Sequence, residues 1–182
     1  IFRDNQAGDG GALTIEGSTV TIAGCLLVGN VADGGGGAAE FGFYCHAEIQ
    51  NSTLVGNQAG SGSGQIQLSA PLTTLTADRT IIAFSDGQAV AVGPEDVAFS
   101  CCNVFGNLGG DWTGNLDGQL GIDGNVAEDP LFCDLEGGDY SLTPVSPCAP
   151  GGQPSCGLVG ALPVGCASAD FVAAPTEGPI PL

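Results

Sequence analysis

The feature that most constrains the fold of this chain is a short sequence pattern that recurs every 22 to 28 residues. The tetrapeptide Asn-Gln-Ala-Gly occurs at residues 5–8 and 57–60, and Leu-Val-Gly-Asn occurs at residues 27–30 and 54–57. One polar residue marks the register of each repeat: Asn5, Asn30, Asn57, Ser85 and Asn107. A period in the twenties that varies by a few residues is typical of a solenoid, because its turns accept insertions.

Residues at fixed distances before these marks are apolar or small, and they form columns. Three positions earlier lie Phe2, Leu27, Leu54, Ile82 and Val104; eight earlier lie Ile22, Ile49, Ala77 and Phe99; ten earlier lie Val20, Ala47, Leu75 and Val97. A spacing of two within a repeat points these side chains to one face of a strand. Equivalent residues then stack at the strand spacing of about 4.8 Å. The columns predict a right-handed parallel β-helix of roughly six to seven coils.

The composition favours the same all-β class. The chain has 32 glycines and 11 prolines in 182 residues, which leaves little room for helices. Short runs rich in Val, Ile and Thr, bounded by Gly, Asn, Asp and Ser, are typical of strands. No Gly-X-Y period runs through the sequence, which excludes collagen.

The asparagine marks indicate how the coils are held together. Asparagine tolerates left-handed backbone conformations, and its amide can hydrogen-bond to equivalent residues above and below. We therefore predict a ladder of Asn5, Asn30, Asn57 and Asn107 at one corner of the solenoid.

The charge of the chain excludes two classes of partner. Twenty acidic residues against Arg3 and Arg79 give a formal net charge of −18. Nucleic acids and anionic membrane surfaces are both bound through Lys and Arg. No segment approaches the about 20 apolar residues that a membrane helix needs. We expect neither a nucleic acid partner nor membrane insertion.

The cysteines indicate the compartment. There are eight: Cys25, Cys45, Cys101, Cys102, Cys133, Cys148, Cys156 and Cys166. None lies in a paired CxxC arrangement and His46 is the only histidine, which disfavours zinc. We predict disulfides and an extracellular or cell-surface location. The pairing stays open, although chain proximity favours Cys25 with Cys45 and Cys148 with Cys156, and Cys101 or Cys102 could reach Cys133 or Cys166.

The pattern divides the chain into a domain and a tail. Residues 1–166 are predicted to form a single β-helix domain, with regular coils in residues 1–110 and the last coils and a disulfide-linked cap in residues 111–166. Residues 167–182 are predicted to form an extended C-terminal tail, because prolines recur there and no strand partner is available.

Two segments resemble known families. The segment Phe2-Arg3-Asp4-Asn5, followed by Gly10-Gly11-Ala12-Leu13, resembles the FxxN and GGA[IL] repeats of chlamydial-type polymorphic outer membrane proteins. Residues 124–148, with Asp129-Pro130-Leu131-Phe132 and Ser146-Pro147-Cys148, resemble the closing segment of secreted pectate-lyase-like β-helix proteins. Both resemblances imply a right-handed β-helix and export. Neither implies an activity, because this fold serves lyases, hydrolases, adhesins and spacers alike.

No residues form a convincing catalytic constellation in the sequence. A lyase of the pectate-lyase type would need a base, but Arg3 and Arg79 lie about three coils apart, and Arg79 follows Asp78 as in an ordinary ion pair. A glycosidase needs two carboxylates on one face, whereas neighbours such as Glu128 and Asp129 would point to opposite faces of a strand. The same holds for Glu95-Asp96, and Cys45 beside His46 is expected to be oxidised. We predict no catalytic, cofactor-binding or metal-binding residues and no enzymatic activity.

Ligand binding is a weaker alternative. Asp117, Asp123 and Asp129 recur at six-residue intervals among Gly and Asn and could hold calcium, although the spacing is not that of an EF-hand. Trp112 and Tyr140 could stack on sugars, although either could equally pack in the cap.

The sequence therefore favours an extracellular structural solenoid. The chain enters directly into a repeat, with Ile1 and Phe2 already at core positions. An uncapped solenoid end exposes apolar side chains and strand edges, so we expect homo-oligomers that stack head to tail into a filament or surface structure. The alternatives are a secreted carbohydrate-binding or carbohydrate-cleaving β-helix and an adhesin or autotransporter passenger.

Overall fold

The computed structural model describes residues 1–61, 63–91, 96–153 and 155–166. The predicted tail, 167–182, and Glu95 lie outside the described residues. The all-β prediction is confirmed: the described part of the chain contains eighteen short strands and one helical element, a three-residue 3-10 helix, Gly114–Leu116.

The strands follow one another in a repeating order of four. The first coil contains β1 (Phe2–Arg3), β2 (Gln6–Ala7), β3 (Leu13–Glu16) and β4 (Thr19–Ala23). The second contains β5 (Leu26–Val28), β6 (Val31–Ala32), β7 (Ala39–Gly42) and β8 (His46–Gln50). The third contains β9 (Thr53–Val55), β10 (Gln58–Ala59), β11 (Ser63–Leu68) and β12 (Thr74–Asp78). Then come β13 (Ile81–Ala83), β14 (Gln88–Ala91), β15 (Asp96–Ser100) and β16 (Asn103–Phe105).

Equivalent strands of successive coils pair in parallel and build four sheets. Sheet A has the order β1-β5-β9-β13-β16, sheet B β10-β6-β2, sheet C β14-β11-β7-β3 and sheet D β15-β12-β8-β4. The parallel β-solenoid is thereby confirmed, but six to seven coils are not. Three coils contribute all four strands, and no sheet of the described residues exceeds five strands. The predicted right-handed sense follows the general rule for parallel crossover connections.

The residues of each predicted column pair with one another in register along these sheets. Phe2, Leu27, Leu54, Ile82 and Val104 face one another along sheet A. Ile22, Ile49, Ala77 and Phe99, and likewise Val20, Ala47, Leu75 and Val97, do so along sheet D. These side chains fill the interior, where residues of the middle coils such as Leu54, Leu75 and Ile82 are fully buried. Each coil therefore covers the apolar side chains of the next.

The predicted asparagine ladder is confirmed from Asn5 to Asn57. The backbone N–H and Nδ2 of Asn5 donate to Oδ1 of Asn30 at 3.0 and 2.8 Å, and those of Asn30 donate to Oδ1 of Asn57 at 2.9 and 2.8 Å. Ser85 interrupts the ladder, and Gln65 fills the gap: its Oε1 accepts from Nδ2 of Asn57 at 2.6 Å, and its Nε2 donates to the Ala83 carbonyl at 2.7 Å. Asn107 resumes the pattern by accepting from Ser85 N–H.

The left-handed backbone conformation expected of the asparagines lies one residue earlier. Asp4, Gly29, Gly56, Phe84 and Gly106, each directly before a register mark, have φ between 54° and 71°. The corner is thus turned by the preceding residue. The asparagine side chain is free to enter the interior and bond between coils.

The second glycine of the Gly-Gly-Ala motif marks a close approach between coils. A Cβ on Gly11 would collide with the Gly37 carbonyl, and a Cβ on Gly37 would collide with the Gly64 carbonyl. Backbone atoms of successive coils therefore touch along this column. That contact explains why the motif recurs in the first two coils.

The end of the stack that follows β16 is closed by residues 107–126. Leu116 enters the interior and is 1% exposed, and Trp112 packs edge-to-face on Phe99 with ring centroids 6.1 Å apart. Polar side chains replace the missing next coil. Gln119 bonds through both amide atoms to Phe99 N–H and the Val97 carbonyl of β15. Asn125 bonds to Cys102 N–H and the Phe99 carbonyl.

The following residues do not extend the solenoid but run back along the outside of sheet A; we call residues 127–166 the strap. It contains the antiparallel strands β17 (Phe132–Asp134) and β18 (Asp139–Leu142). Leu142 and Val159 pack on the outward Ile81 and Ala83 of sheet A, and Tyr140 packs beside Leu26, Val28 and Val55. The strap thus buries the outer face of this sheet as far as the first coil, where the Arg3 guanidinium lies 5.7 Å from the Tyr140 ring centroid.

A disulfide-linked C-terminal part is confirmed, but the favoured pairings are wrong. Cys101 bonds to Cys156 and joins the last corner of the solenoid to the strap, while Cys133 bonds to Cys166 within the strap. Cys25, Cys45, Cys102 and Cys148 are free thiols. Proximity in the sequence did not predict the disulfide pairing, because the strap folds back and brings together Cys101 and Cys156, which are 55 positions apart.

We expect Asn57→Ala to lower the free energy of unfolding by about 2–4 kcal/mol, because it removes the buried acceptor of two Asn30 donors and the buried bond from Nδ2 of Asn57 to Gln65. Urea denaturation followed by far-ultraviolet circular dichroism measures this. The matched control, Asn5→Ala, removes the exposed end of the same ladder and should cost much less. Equal losses in the two variants would show that the ladder does not carry this energy.

Candidate functional site

The outward face of sheet D holds a groove that crosses neighbouring coils. Its volume is about 350 Å³, and its lining includes Glu48 from β8, Thr76 and Asp78 from β12, Ser100 from β15 and Asp123 beyond the last coil. The strands alternate inward apolar and outward polar residues, which places these side chains on the solvent side. The groove is therefore an open polar surface on a rigid sheet.

Two carboxylates in this groove come from adjacent coils. The register pairs Glu48 with Thr76 and Gln50 with Asp78, so Glu48 and Asp78 are diagonal neighbours. A strand spacing of about 4.8 Å and a rise of about 3.3 Å per residue place the two backbone positions about 8 Å apart, comparable with the roughly 5–10 Å between the carboxyl groups of glycosidases. The sequence did not reveal this pair, because the two acids are 30 positions apart and lie on a diagonal and not in one column of the repeat.

Both carboxylates already accept hydrogen bonds from neighbouring side chains. Glu48 accepts from Nε2 of Gln50 at 2.6 Å and from the Thr21 hydroxyl at 3.4 Å. Asp78 accepts from Nε of Arg79 at 2.9 Å and from the Ser100 hydroxyl at 3.0 Å. A general acid has to present a proton to its substrate. An acceptor held by two donors is better suited to binding and to fixing neighbouring side chains.

The basic residues considered in the sequence have structural contacts. Arg79 forms the expected ion pair with Asp78, with 2.7 Å between Nη2 and Oδ2, and Arg3 lies over the Tyr140 ring. His46 is exposed on sheet D, where Nδ1 lies 2.9 Å from the Thr74 hydroxyl oxygen. Of these, only Arg79 is beside the groove, through Asp78.

Trp112 and Tyr140 are packing residues. Trp112 lies against Phe99, and its Nε1–H donates to the Val126 carbonyl at 3.2 Å. Tyr140 is 9% exposed and packs edge-to-face on Phe132. Among the residues that the structure describes, the exposed aromatic side chains are Phe43 and Tyr44, 57% and 63% exposed, at the corner before β8. In the sequence, the place of these two aromatics at a turn between strands was the signal that could have predicted their exposure.

The acidic residues proposed for calcium are not gathered into one site. Asp123 lines the sheet D groove, whereas Asp129 and Glu128 line a separate groove of about 410 Å³ on the strap. Glu128 and Asp129 lie outside any strand, so the expectation that they point to opposite faces does not apply. Within the described ranges, no three His, Cys, Asp or Glu side chains are grouped to hold a metal ion. The prediction of no metal-binding residues, with calcium as the weaker alternative, stays a prediction.

The second candidate site is the surface of the first coil that faces away from the rest of the solenoid; we call it the N-terminal edge. β1, β2, β3 and β4 each lie at the end of their sheet. Phe2, Leu13, Ile15 and Val20 point inward but are only half-buried, whereas their partners in the second coil, Leu27, Ala39, Phe41 and Ala47, are at most 3% exposed. In Asn30 and Asn57, Oδ1 accepts hydrogen bonds from the preceding ladder residue. The Oδ1 of Asn5 lies at this exposed edge.

One free thiol lies beside the N-terminal edge. Cys25 lies in the corner between β4 and β5 and is half-buried. Cys45, Cys102 and Cys148 are buried. Burial raises the pKa of Cys45, and it raises the pKa of Cys102 to about 12 and that of Cys148 to about 11, so these three stay protonated at neutral pH.

The chain matches none of the protein-family models, curated proteins or solved structures with which we compared it. No family match therefore supports the resemblance to polymorphic outer membrane proteins or to pectate-lyase-like proteins, and the solenoid itself is what the two resemblances predicted correctly.

The disulfides indicate an oxidising environment. No helix in the part of the chain that the structure describes is long and apolar enough to span a membrane.

We expect one thiol, that of Cys25, to react with an aromatic disulfide reagent at pH 8 in the folded protein, because the other three are buried and protonated. Four thiols should react after unfolding in guanidinium chloride. Cys25→Ser should abolish the fast reaction and leave three thiols. If no thiol reacts after unfolding, all eight cysteines are paired and the pairing described above is wrong.

Proposed function

We propose that this protein is an extracellular structural β-solenoid that assembles with a second copy through its N-terminal edge. The observation that carries the proposal is the half-buried state of Phe2, Leu13, Ile15 and Val20, residues whose equivalents in the second and third coils are buried. Burying them in a contact removes apolar area from water, which is the main favourable term in association.

The hydrogen-bonding groups of the edge support the same role. Each first-coil strand uses one side to pair with the second coil and leaves the other side open. Open strand edges readily pair with another chain. The strands of this edge contain no proline or lysine, and their inward residues Ile15 and Val20 are apolar and not charged. The N-terminal edge thus combines half-buried apolar side chains with open strand edges, and both support assembly there.

The test compares two variants of β4 that carry the same added charge. Val20→Lys places the ammonium group in the proposed contact, whereas Thr19→Lys places it on the outward face of the same strand. We expect Val20→Lys to weaken self-association at least tenfold and Thr19→Lys to change it little. Sedimentation velocity over a range of protein concentrations measures this, with circular dichroism to verify the fold.

Two results would contradict the proposal. Wild-type protein that remains monomeric up to millimolar concentration has no self-assembly to explain. Equal effects of the two lysine variants would place the contact elsewhere.

A second candidate function is binding of an extracellular glycan in the sheet D groove. The specific observation is the alternation of carboxylates and hydroxyls across neighbouring coils, at Glu48, Thr76, Asp78 and Ser100. Sugar hydroxyls both donate and accept, so such a row can hydrogen-bond along a chain of sugar residues. Because both carboxylates already hold donors, the proposal is binding and not cleavage.

A glycan array followed by calorimetry tests this candidate. We expect Glu48→Gln to weaken binding of any glycan that the wild type retains by about tenfold, since one charge-assisted hydrogen bond is lost. Glu136→Gln, the same change on the exposed strap, is the control. The absence of binding by wild-type protein across neutral and acidic glycans would remove this candidate.

A further inference from the structure

Two open grooves adjoin on the strap, beside the solenoid corner at Phe84. The first, of about 410 Å³, includes Glu128, Asp129 and Val145 in its lining. The second, of about 280 Å³, is lined by Phe84, Asp129, Leu131, Phe132 and Leu135. Asp129 and Leu131 belong to both linings, so the two grooves form one connected surface, which we call the strap groove.

Much of the strap groove is apolar and open to solvent. Leu131 and Leu135 are 37% and 40% exposed, and Val145 is 80% exposed. Phe132 packs edge-to-face on Phe84 with 6.4 Å between the ring centroids. Covering such a surface with another apolar side chain removes it from water, which favours binding.

Leu131, which lies between the two grooves, is fixed by its own backbone. Its φ is 52°, in the left-handed region that bulky residues rarely adopt. Its N–H donates to Oδ1 of Asp129 at 2.9 Å, and its carbonyl accepts from the Thr143 N–H at 3.0 Å. The surface is therefore shaped before any partner arrives, which lowers the entropy cost of binding.

The strap groove is acidic and has no cation of its own. The carboxylates of Glu128 and Asp129 are exposed at the first groove. The strap contains five acidic residues and no lysine, arginine or histidine. Charge complementarity therefore favours a basic partner.

The basic partner has to be a different molecule. The chain has two arginines and no lysine, and both arginines are engaged: Arg79 pairs with Asp78, and Arg3 lies over the Tyr140 ring. A second copy of this chain thus has no arginine or lysine side chain left to offer. Residues 167–182 contain two acidic residues and no lysine or arginine, so they do not supply the charge either.

We propose that the strap groove binds an extended basic segment of a different protein, in which a bulky apolar side chain lies next to lysine or arginine. The apolar side chain contacts Phe84, Phe132 and Leu135, and the cation forms charge-assisted hydrogen bonds with Glu128 and Asp129. Among the described strands, β17 pairs on one side only, with β18, so its other edge is open to an extended segment. This contact does not depend on assembly through the N-terminal edge.

The test uses the whole chain and short fluorescent peptides whose binding is followed by fluorescence anisotropy. The probe peptide has the central sequence Lys-Phe-Lys, and its controls have Lys-Ala-Lys and Glu-Phe-Glu. We expect Lys-Phe-Lys to bind about tenfold more tightly than either control, because one lacks the apolar side chain and the other the charge. Its affinity should fall as the salt concentration rises.

Three variants separate the two halves of the groove. Asp129→Asn keeps an acceptor for the Leu131 N–H and removes the charge, so it should weaken Lys-Phe-Lys binding about fivefold and leave the preference for Phe over Ala unchanged. Leu135→Ala should reduce the preference for Phe over Ala about threefold and leave the preference for Lys over Glu unchanged. Asp117→Asn, the same change at an exposed residue outside the strap groove, should bind like the wild type. Circular dichroism verifies the fold of each variant.

Three results would overturn the proposal. Equal losses in Asp129→Asn and Asp117→Asn would mean a general attraction between basic peptides and an acidic protein. Equal affinities for Lys-Phe-Lys and Lys-Ala-Lys would mean that the apolar lining is not used. The absence of binding by the wild-type chain at millimolar peptide, in low salt, would mean that the strap groove does not take a basic segment.

Discussion

No coil of this protein can bury its own apolar residues, and the rest of the structure follows from that constraint. Each inward side chain, such as Leu54 between Leu27 and Ile82, is covered by its equivalents above and below. Polar groups obey the same rule: the side chain of Asn30 bonds to Asn5 and the Phe2 carbonyl of the first coil and to Asn57 of the third. Stability is therefore a property of the interfaces between coils, and the ends of the stack are where the chemistry has to change.

The regular part of the fold could be predicted because its physics is periodic. The spacing of Phe2, Leu27 and Leu54 reports both the inward face and the register, since a one-residue slip would turn every side chain around. Gln65 could not be predicted in the ladder, because it replaces a missing asparagine from another position of the coil. The coil count failed because residues after 110 keep a strand-like composition without continuing the stack.

The strap was missed although the sequence contains a signal for it. The segments Leu26-Leu27-Val28 and Ile81-Ile82-Ala83 are apolar at every position, which is typical of parallel strands buried on both faces. Sheet D alternates and is open to solvent. The acid pair of the candidate groove was also missed. Glu48 and Asp78 lie diagonally across β8 and β12, two positions apart in the register, and not in one column.

The strap changes how the solenoid responds to stress. A bare stack of coils touches only its nearest neighbours, so its ends can fray one coil at a time. Here one segment contacts coils along the whole stack, from Arg3 beside Tyr140, through Thr53, which accepts a hydrogen bond from Ala161 N–H, to the Cys101–Cys156 disulfide at the last corner. Loss of the first coil thus also disturbs the far end of the strap. We therefore expect the strap to make this linear array unfold as a unit.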